Sequence, residues 1–291
     1  MISRNMTTSN SWIFSGTFNA RTTMPFVQCL GWASRLVLML ALLFVAVSVA
    51  IADTLPDYER EARIAEQIEP DIFDGEPVWL SANDHDFLAI HIEVDDPKGT
   101  VVLLHGRDVS PEEQHLIGPL RVGLSEHGWN TLALQMPVLA KGKTYEDYLL
   151  IFPFARKRID AALAFLHDQG EQRIVIAAHS CGAHMTNNWL NQNSDAQIDA
   201  YIAMGLGATD AGQALQTPFP IADMRVPVLD IYGAQEFPRP LAMIPERRAM
   251  LDANGHPHSA QIEVEGANHY FHDAGEAMIN QVASWLSNIE L

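Results

Sequence analysis

Arg173-Ile-Val-Ile-Ala-Ala-His-Ser180-Cys-Gly182 runs from an apolar, β-branched stretch directly into a segment of helical pattern. The turn Ala178-His179-Ser180-Cys181-Gly182 matches G-x-S-x-G with alanine in the first glycine position. That pattern works sterically. A serine held on a sharp strand-to-helix turn occupies strained backbone, and small residues two before and two after let neighbouring backbones pass closely. The helix start behind it favours negative charge developing at the serine. One extra methyl at Ala178 is tolerable where the neighbouring elements leave room.

Outward from this stretch, short apolar runs alternate with longer amphipathic ones. The runs Thr100–Leu104, Trp129–Gln135, Arg173–Ala178, Ala200–Met204, Val226–Tyr232 and Gln261–Val264 read as strands. Helices are expected at Asp57–Ile68, Pro111–His127, Pro153–Asp168, Gly182–Asn191, Pro240–Ala253 and Asp273–Ile289. Gly128, Gly170 and Gly255 stand where helices should stop. The alternation predicts a mostly parallel central sheet with helices on both faces. Pro77–Ser81 and the alternating Phe87–Val94 predict a hairpin, hence antiparallel N-terminal edge strands.

The chain order serine, acid, histidine suits this architecture. Val226-Pro-Val-Leu-Asp-Ile-Tyr-Gly233-Ala-Gln-Glu236 is a strand ending in glycine with a carboxylate three residues on. Gln261-Ile-Glu-Val-Glu-Gly266-Ala-Asn-His269 repeats the pattern with a histidine. Both side chains are expected at the carboxyl ends of strands, where α/β sheets place ligands. Asp230 is a rival acid, disfavoured by its mid-strand position. His272 is a rival base, read instead as a first-turn helix residue. Thr100-Val-Val-Leu-Leu-His105-Gly106-Arg107 ends another strand where an oxyanion-binding amide should arise.

On these four motifs in order, the chain resembles the α/β-hydrolases over roughly residues 76–290. It is also similar to an exported proteobacterial branch of that superfamily, through Pro119-Leu-Arg121, Leu229-Asp-Ile-Tyr-Gly233, Arg247-Arg248 and Asn268-His-Tyr-Phe271. That branch brings no substrate with it. The superfamily resemblance implies Ser180 as nucleophile, His269 as general base and Glu236 as the residue orienting it. It implies the backbone N–H groups of Arg107 and Cys181 as the oxyanion hole. A serine hydrolase of carboxylesterase type acting through an acyl-enzyme is then expected. A catalytically silent scaffold binding an envelope partner or ligand is the alternative. The segment between Met204 and Val226 is too short for a large cap, which predicts an open or shallow cleft and a small acyl substrate.

His105, His179 and His184 fall near this site, but each belongs to a separate motif and none shows metal-ligand spacing with an acidic partner. No metal and no cofactor are expected. Cys181 is read as an inert buried thiol turned from the cleft, and Arg107 as paired with Asp108 or Glu112. Tyr145, Tyr148, Phe152 and Phe154 are read as core, with pocket lining as the alternative.

The chain has 291 residues with 36 acids and 18 bases, a formal charge of −18. Residues 1–52 hold three arginines and no acid, leaving 36 acids against 15 bases, or −21, beyond them. Such a surface repels phosphates and anionic lipid headgroups, so neither nucleic acid nor a membrane surface is an expected partner. Leu36–Ala52 is an apolar run of 17 residues broken only by Ser48, preceded by Arg35 and ending in the small-x-small tripeptide Ala50-Ile51-Ala52. Residues 1–52 therefore read as a cleaved signal peptide, or as an N-terminal anchor if uncleaved. The true start is Met1 or Met24. Residues 53–291 read as a single α/β-hydrolase domain, exported to the periplasm or anchored facing it. Cys181 is the only cysteine after the leader, which excludes an internal disulfide.

Overall fold

Alternate residues of the central strands divide between two separate cores. Val102, Leu104, Ile176, Ala178, Tyr201 and Ala203 pack into one. Val101, Leu103, Val175, Ala177, Ala200 and Ile202 pack into the other. Strands buried on both faces need an apolar residue at every position, and this is why they read as continuous β-branched runs rather than alternating ones. The structure, a computed structural model, describes residues 55–289. The signal or anchor expected over residues 1–52 lies outside the described residues. Among the described residues no helix is long and apolar enough to cross a membrane.

The eight strands are β1 (Glu76–Ala82), β2 (His85–Ile92), β3 (Thr100–Leu104), β4 (Asn130–Leu134), β5 (Ile174–His179), β6 (Ala200–Met204), β7 (Val228–Gln235) and β8 (Ala260–Asn268). They form one sheet in the order β1-β2-β4-β3-β5-β6-β7-β8. The two leading pairings, β1–β2 and β2–β4, are antiparallel and the rest are parallel. Asn83 and Asp84, at φ 53° and 57°, make the left-handed two-residue turn of the β1–β2 hairpin.

The helices are α1 (Tyr58–Ile68), α2 (Ile117–Glu126), α3 (Tyr145–Tyr148), α4 (Phe152–Asp168), α5 (Cys181–Asn193), α6 (Pro238–Ala242), α7 (Ile244–Asn254) and α8 (Gly275–Asn288). Residues of α4, α5 and α7 cover one face of the sheet, and residues of α2 and α8 cover the other. The fold is the expected α/β-hydrolase fold. Between β6 and β7 only the single turn Ile221–Asp223 is helical, so this segment contributes no large cap among the described residues.

Three expectations are corrected. The helix read as Pro111–His127 begins only at Ile117. The Glu113 carboxylate accepts the backbone N–H groups of His115, Leu116 and Ile117 and caps the helix there. The helix read as Pro240–Ala253 is two helices. Met243 separates them, and Pro245, which can donate no hydrogen bond, opens the second. Strands β7 and β8 run past Gly233 and Gly266 to Gln235 and Asn268. A Cβ at Gly233 would lie 2.3 Å from the Ala267 carbonyl oxygen, so only glycine lets the strands cross the irregularity between Gly233 and Gln235. Glu236 and His269 are thereby the first residues beyond their strands.

The rival acid Asp230 is locked elsewhere. It is fully buried and accepts from Arg247 Nε at 2.8 Å and from Gln261 Nε2 at 2.8 Å. Arg247 also donates to the carbonyls of Leu206 and Pro240, which fastens the segments after β6 and β7 beneath the site. Replacing Arg247 with Met strands a buried carboxylate. The expected loss is about 3–5 kcal/mol of unfolding free energy, read by urea denaturation. Asp230→Asn should likewise act on stability rather than on turnover.

Candidate active site

The Ser180 backbone sits at φ 53° and ψ −116°, a left-handed conformation that costs a non-glycine residue of order 1–3 kcal/mol. The surrounding packing imposes it. The Ser180 N–H donates to the Met204 carbonyl at 2.9 Å, and its own carbonyl accepts from His184 at 3.2 Å to begin α5. A Cβ at Gly182 would come within 2.5 Å of the His105 carbonyl oxygen and 2.8 Å of that of Leu104, so α5 starts in direct contact with the end of β3. Ala178 is fully buried between Leu104 and Ala203 on the adjacent strands, where its methyl fits.

The parallel register brings the remaining groups to the same edge. His269 Nε2 lies 2.9 Å from Ser180 Oγ, and His269 Nδ1 lies 2.6 Å from Glu236 Oε1. An ionised carboxylate can only accept, so this contact holds the proton on Nδ1 and leaves Nε2 free to accept from the serine hydroxyl. Glu236 Oε1 also accepts the Phe237 N–H at 2.7 Å, while Oε2 is buried without a hydrogen-bond partner among the described residues. Gly205 makes room for this pair. Its φ is +62°, and a Cβ there would lie 3.1 Å from the His269 ring and 3.2 Å from Glu236 Oε2. Sequence reasoning missed Gly205. Its place directly after the apolar run Ala200–Met204 was the available signal.

Among the described residues, the backbone N–H groups of Arg107 and Cys181 have no protein acceptor. Gly106 rests against the turn, where a Cβ would stand 3.2 Å from His179 Nδ1 and 3.4 Å from Ser180 Cβ. The Arg107 side chain pairs with neither Asp108 nor Glu112. It binds Asp210 with two hydrogen bonds, at 2.6 and 3.0 Å. Asp108 and Glu112 are taken by Arg60 and Arg121. The Arg107 hydrogen bonds hold the Asp210 carboxyl below its ordinary range and raise the guanidinium in turn.

The cleft over Ser180 has a volume of about 590 Å³. Phe237, Tyr270, Tyr145, Val109, Ala208 and Ala211 give it an apolar lining, and Arg239 and Glu113 add charge. The segment after β6, expected only to leave the cleft uncovered, supplies one of its walls. Phe237 lies over His269 with ring centroids 4.5 Å apart. Tyr145 is both core and pocket wall, whereas Tyr148 and Phe152 are core. Cys181 is among the residues at the cleft, and its thiol is buried, which pushes it up to about 12, as an inert thiol requires. His272, expected in a helix, lies in the turn before α8, where Asn268 Nδ2 donates to its Nδ1.

The three other histidines are each held by backbone groups. His179 Nε2 donates to the His269 carbonyl at 2.8 Å, and His184 Nε2 to that of Ala208 at 2.9 Å. His105 Nδ1 donates to the Gly106 carbonyl, and its Nε2 accepts the Met136 N–H. Burial, the largest influence on each, lowers His105 and His184 to about 4 and His179 to about 3.

With this geometry in view, the molecule belongs to the α/β-hydrolase fold class with a serine, histidine and glutamate in contact at the sheet's carboxyl edge. The chain belongs to the family described as "Protein of unknown function (DUF3530)", whose model matches residues 35–148 and 153–288. No curated protein sequence matches it. Solved structures similar to it include the Pyrococcus furiosus esterase, at 18% identity and TM-score 0.58, covering 76% of this chain and 93% of that one. The dienelactone hydrolase of Anabaena variabilis matches at 15% and 0.56, covering 74% and 97%. A predicted CIB-like hydrolase of Thermoplasma acidophilum matches at 18% and 0.54, covering 74% and 98%.

The buried histidines set an acid limit. Their folded values lie below the ordinary 6.5, so the unfolded chain binds more protons between the two values and stability rises with pH there. The melting temperature is expected to fall as pH drops through about 6.5 and to keep falling towards about 4. Calorimetry on His105→Asn and His184→Asn should show a flatter acid limb.

Proposed function

We propose that the chain is an exported serine hydrolase of carboxylesterase type, acting on a small acyl substrate through an acyl-enzyme on Ser180. The observation that carries this reading is the unbroken relay from Glu236 through His269 to Ser180, at 2.6 and 2.9 Å, beneath the cleft. Ser180 Oγ attacks the substrate carbonyl carbon while its proton passes to His269 Nε2. Glu236 opposes the imidazolium charge that results. The N–H groups of Arg107 and Cys181 receive the oxyanion, and the start of α5 reinforces them. The intermediate collapses as His269 returns the proton to the departing alcohol. Water, deprotonated by His269, then releases the acid and restores the serine.

A cleft of about 590 Å³ is the size of a small-molecule site, and its aromatic and aliphatic walls suit an apolar acyl or alcohol group. The reading of export rests on the apolar run and the tripeptide ending at Ala52.

A fluorophosphonate probe should label the chain, and Ser180→Ala should abolish labelling and lower ester turnover by at least about 10³-fold without changing the melting temperature. A well-folded chain that takes no label would overturn the reading in favour of a silent scaffold. Glu236→Gln should lower kcat by about 10²–10⁴-fold with little change in KM, because an amide cannot oppose the imidazolium charge. Recovery of protein beginning near Asp53 from the periplasmic fraction checks export and cleavage.

A further inference from the structure

The loop Gly106–Val109 carries the Arg107 N–H, and two of its side chains are each held by a separate set of partners. On one flank, Arg107 clasps Asp210 at 2.6 and 3.0 Å, and the same carboxylate accepts the Tyr145 N–H at 2.6 Å. On the other, Asp108 accepts from Arg60 Nη1 at 2.8 Å and from the Tyr148 hydroxyl at 3.2 Å. Arg60 Nη1 also donates to the Leu139 carbonyl, and Tyr148 accepts the Leu139 N–H, so this flank closes on itself. Asp108 sits at φ +65°, a conformation open to aspartate but requiring outside support to persist. The Arg60 side chain is only 10% exposed, which leaves it little freedom to swing away.

We propose that Arg60 and Asp210 are positioning residues that brace the oxyanion loop from its two sides and hold the Arg107 N–H at the distance the transition state requires. The inference rests on the serine-hydrolase reading above. Neither residue touches the reacting atoms. Their action is geometric: an oxyanion donor lowers a barrier only if it is already in place when charge develops. A displacement of about 1 Å can cost about 10²-fold in rate. Arg60 comes from α1, the helix that opens the described chain. Asp57 Oδ1 caps α1 at the Arg60 N–H, and Asp57 N–H donates to the Val138 carbonyl at 2.8 Å. The Glu61 carboxylate pairs with Arg158 at 2.6 Å, both nearly fully buried, and also accepts the Val138 N–H. The docking of α1 and the alignment of the oxyanion amide are therefore one structural event, and turnover depends on α1 being seated.

The test uses the full chain, Arg60→Ala, Arg60→Lys and Asp210→Asn. Hydrolysis of a p-nitrophenyl acyl ester gives kcat and KM. Inhibition by an aryl boronic acid reads the oxyanion site. Its boron accepts the Ser180 oxygen, the hydroxyl proton passes to His269, and a boron-bound oxygen takes the oxyanion position. Arg60→Ala and Asp210→Asn are expected to lower kcat about 10–100-fold with KM within about twofold. The boronic acid inhibition constant should rise by the same factor, and Arg60→Lys should recover most of the loss. Folded variants that keep wild-type kcat and boronic acid affinity overturn the proposal. So does a loss of kcat with boronic acid affinity unchanged, which would mark a purely structural role. If Arg60→Ala does not fold, Asp210→Asn carries the test, since it leaves α1 untouched. Failure of the fluorophosphonate to label Ser180 in the unaltered chain defeats the hydrolase reading. A labelled chain with unaltered variants defeats only this inference.

Discussion

The contact that the rest of the site depends on is the one between Gly182 and the end of β3. Two backbones meet where no side chain fits, and a Cβ there would stand 2.5 Å from a carbonyl oxygen. This closeness lets α5 begin immediately after β5 and forces Ser180 into left-handed backbone between them. The strain at Ser180 is one local cost set against a sheet buried on both faces. The same approach brings the Gly106–Val109 loop beside the serine, so Ser180 and the N–H groups of Arg107 and Cys181 are placed by one packing solution.

Charge around the site is arranged by what each group can reach. The histidine in contact with Ser180 has a carboxylate on its other nitrogen. The remaining three have backbone partners and are driven by burial towards neutrality, which keeps competing positive charge out of the cleft. His179 goes further, since its donation to the His269 carbonyl ties the serine turn to the histidine loop. The two fully buried charges of Asp230 and Arg247 pair through Nε and Oδ2 below the site and join β7 to the segments that line it. An acid lying so near Glu236 in sequence is excluded from contact with His269 by that prior partner.

The sequence was most legible where the physics is local. Strands β3 and β6 fall at the residues read from their apolar runs, because a doubly buried strand needs an unbroken run. The helix stops at Gly128, Gly170 and Gly255 lie at φ 83°, 85° and 68°, as a chain leaving a helix requires. Helix starts were less legible. Glu113 caps α2 with a side chain that looks, in sequence, like one more polar residue of an amphipathic run. The break at Met243 goes with Pro245, which read as one more residue of a continuous helical run, and the Pro240 carbonyl is taken by Arg247. The partner of Arg107 was missed because Asp210 lies 103 positions away along the chain.

By itself, the amino-acid sequence determined the fold class, the strand–turn–helix at Ser180 and the identities of the three residues that meet there. Each of these is written in hydrophobic period, glycine placement and chain order, which are properties of neighbouring residues. Tertiary structure alone decided that Glu236 and not Asp230 faces His269, that Gly205 clears space for that pair, and that Asp210 and Arg60 hold the side chains of Arg107 and Asp108. Those choices depend on which distant side chain reaches a group first once the parallel register aligns the strand ends, and separation along the chain carries no record of that competition.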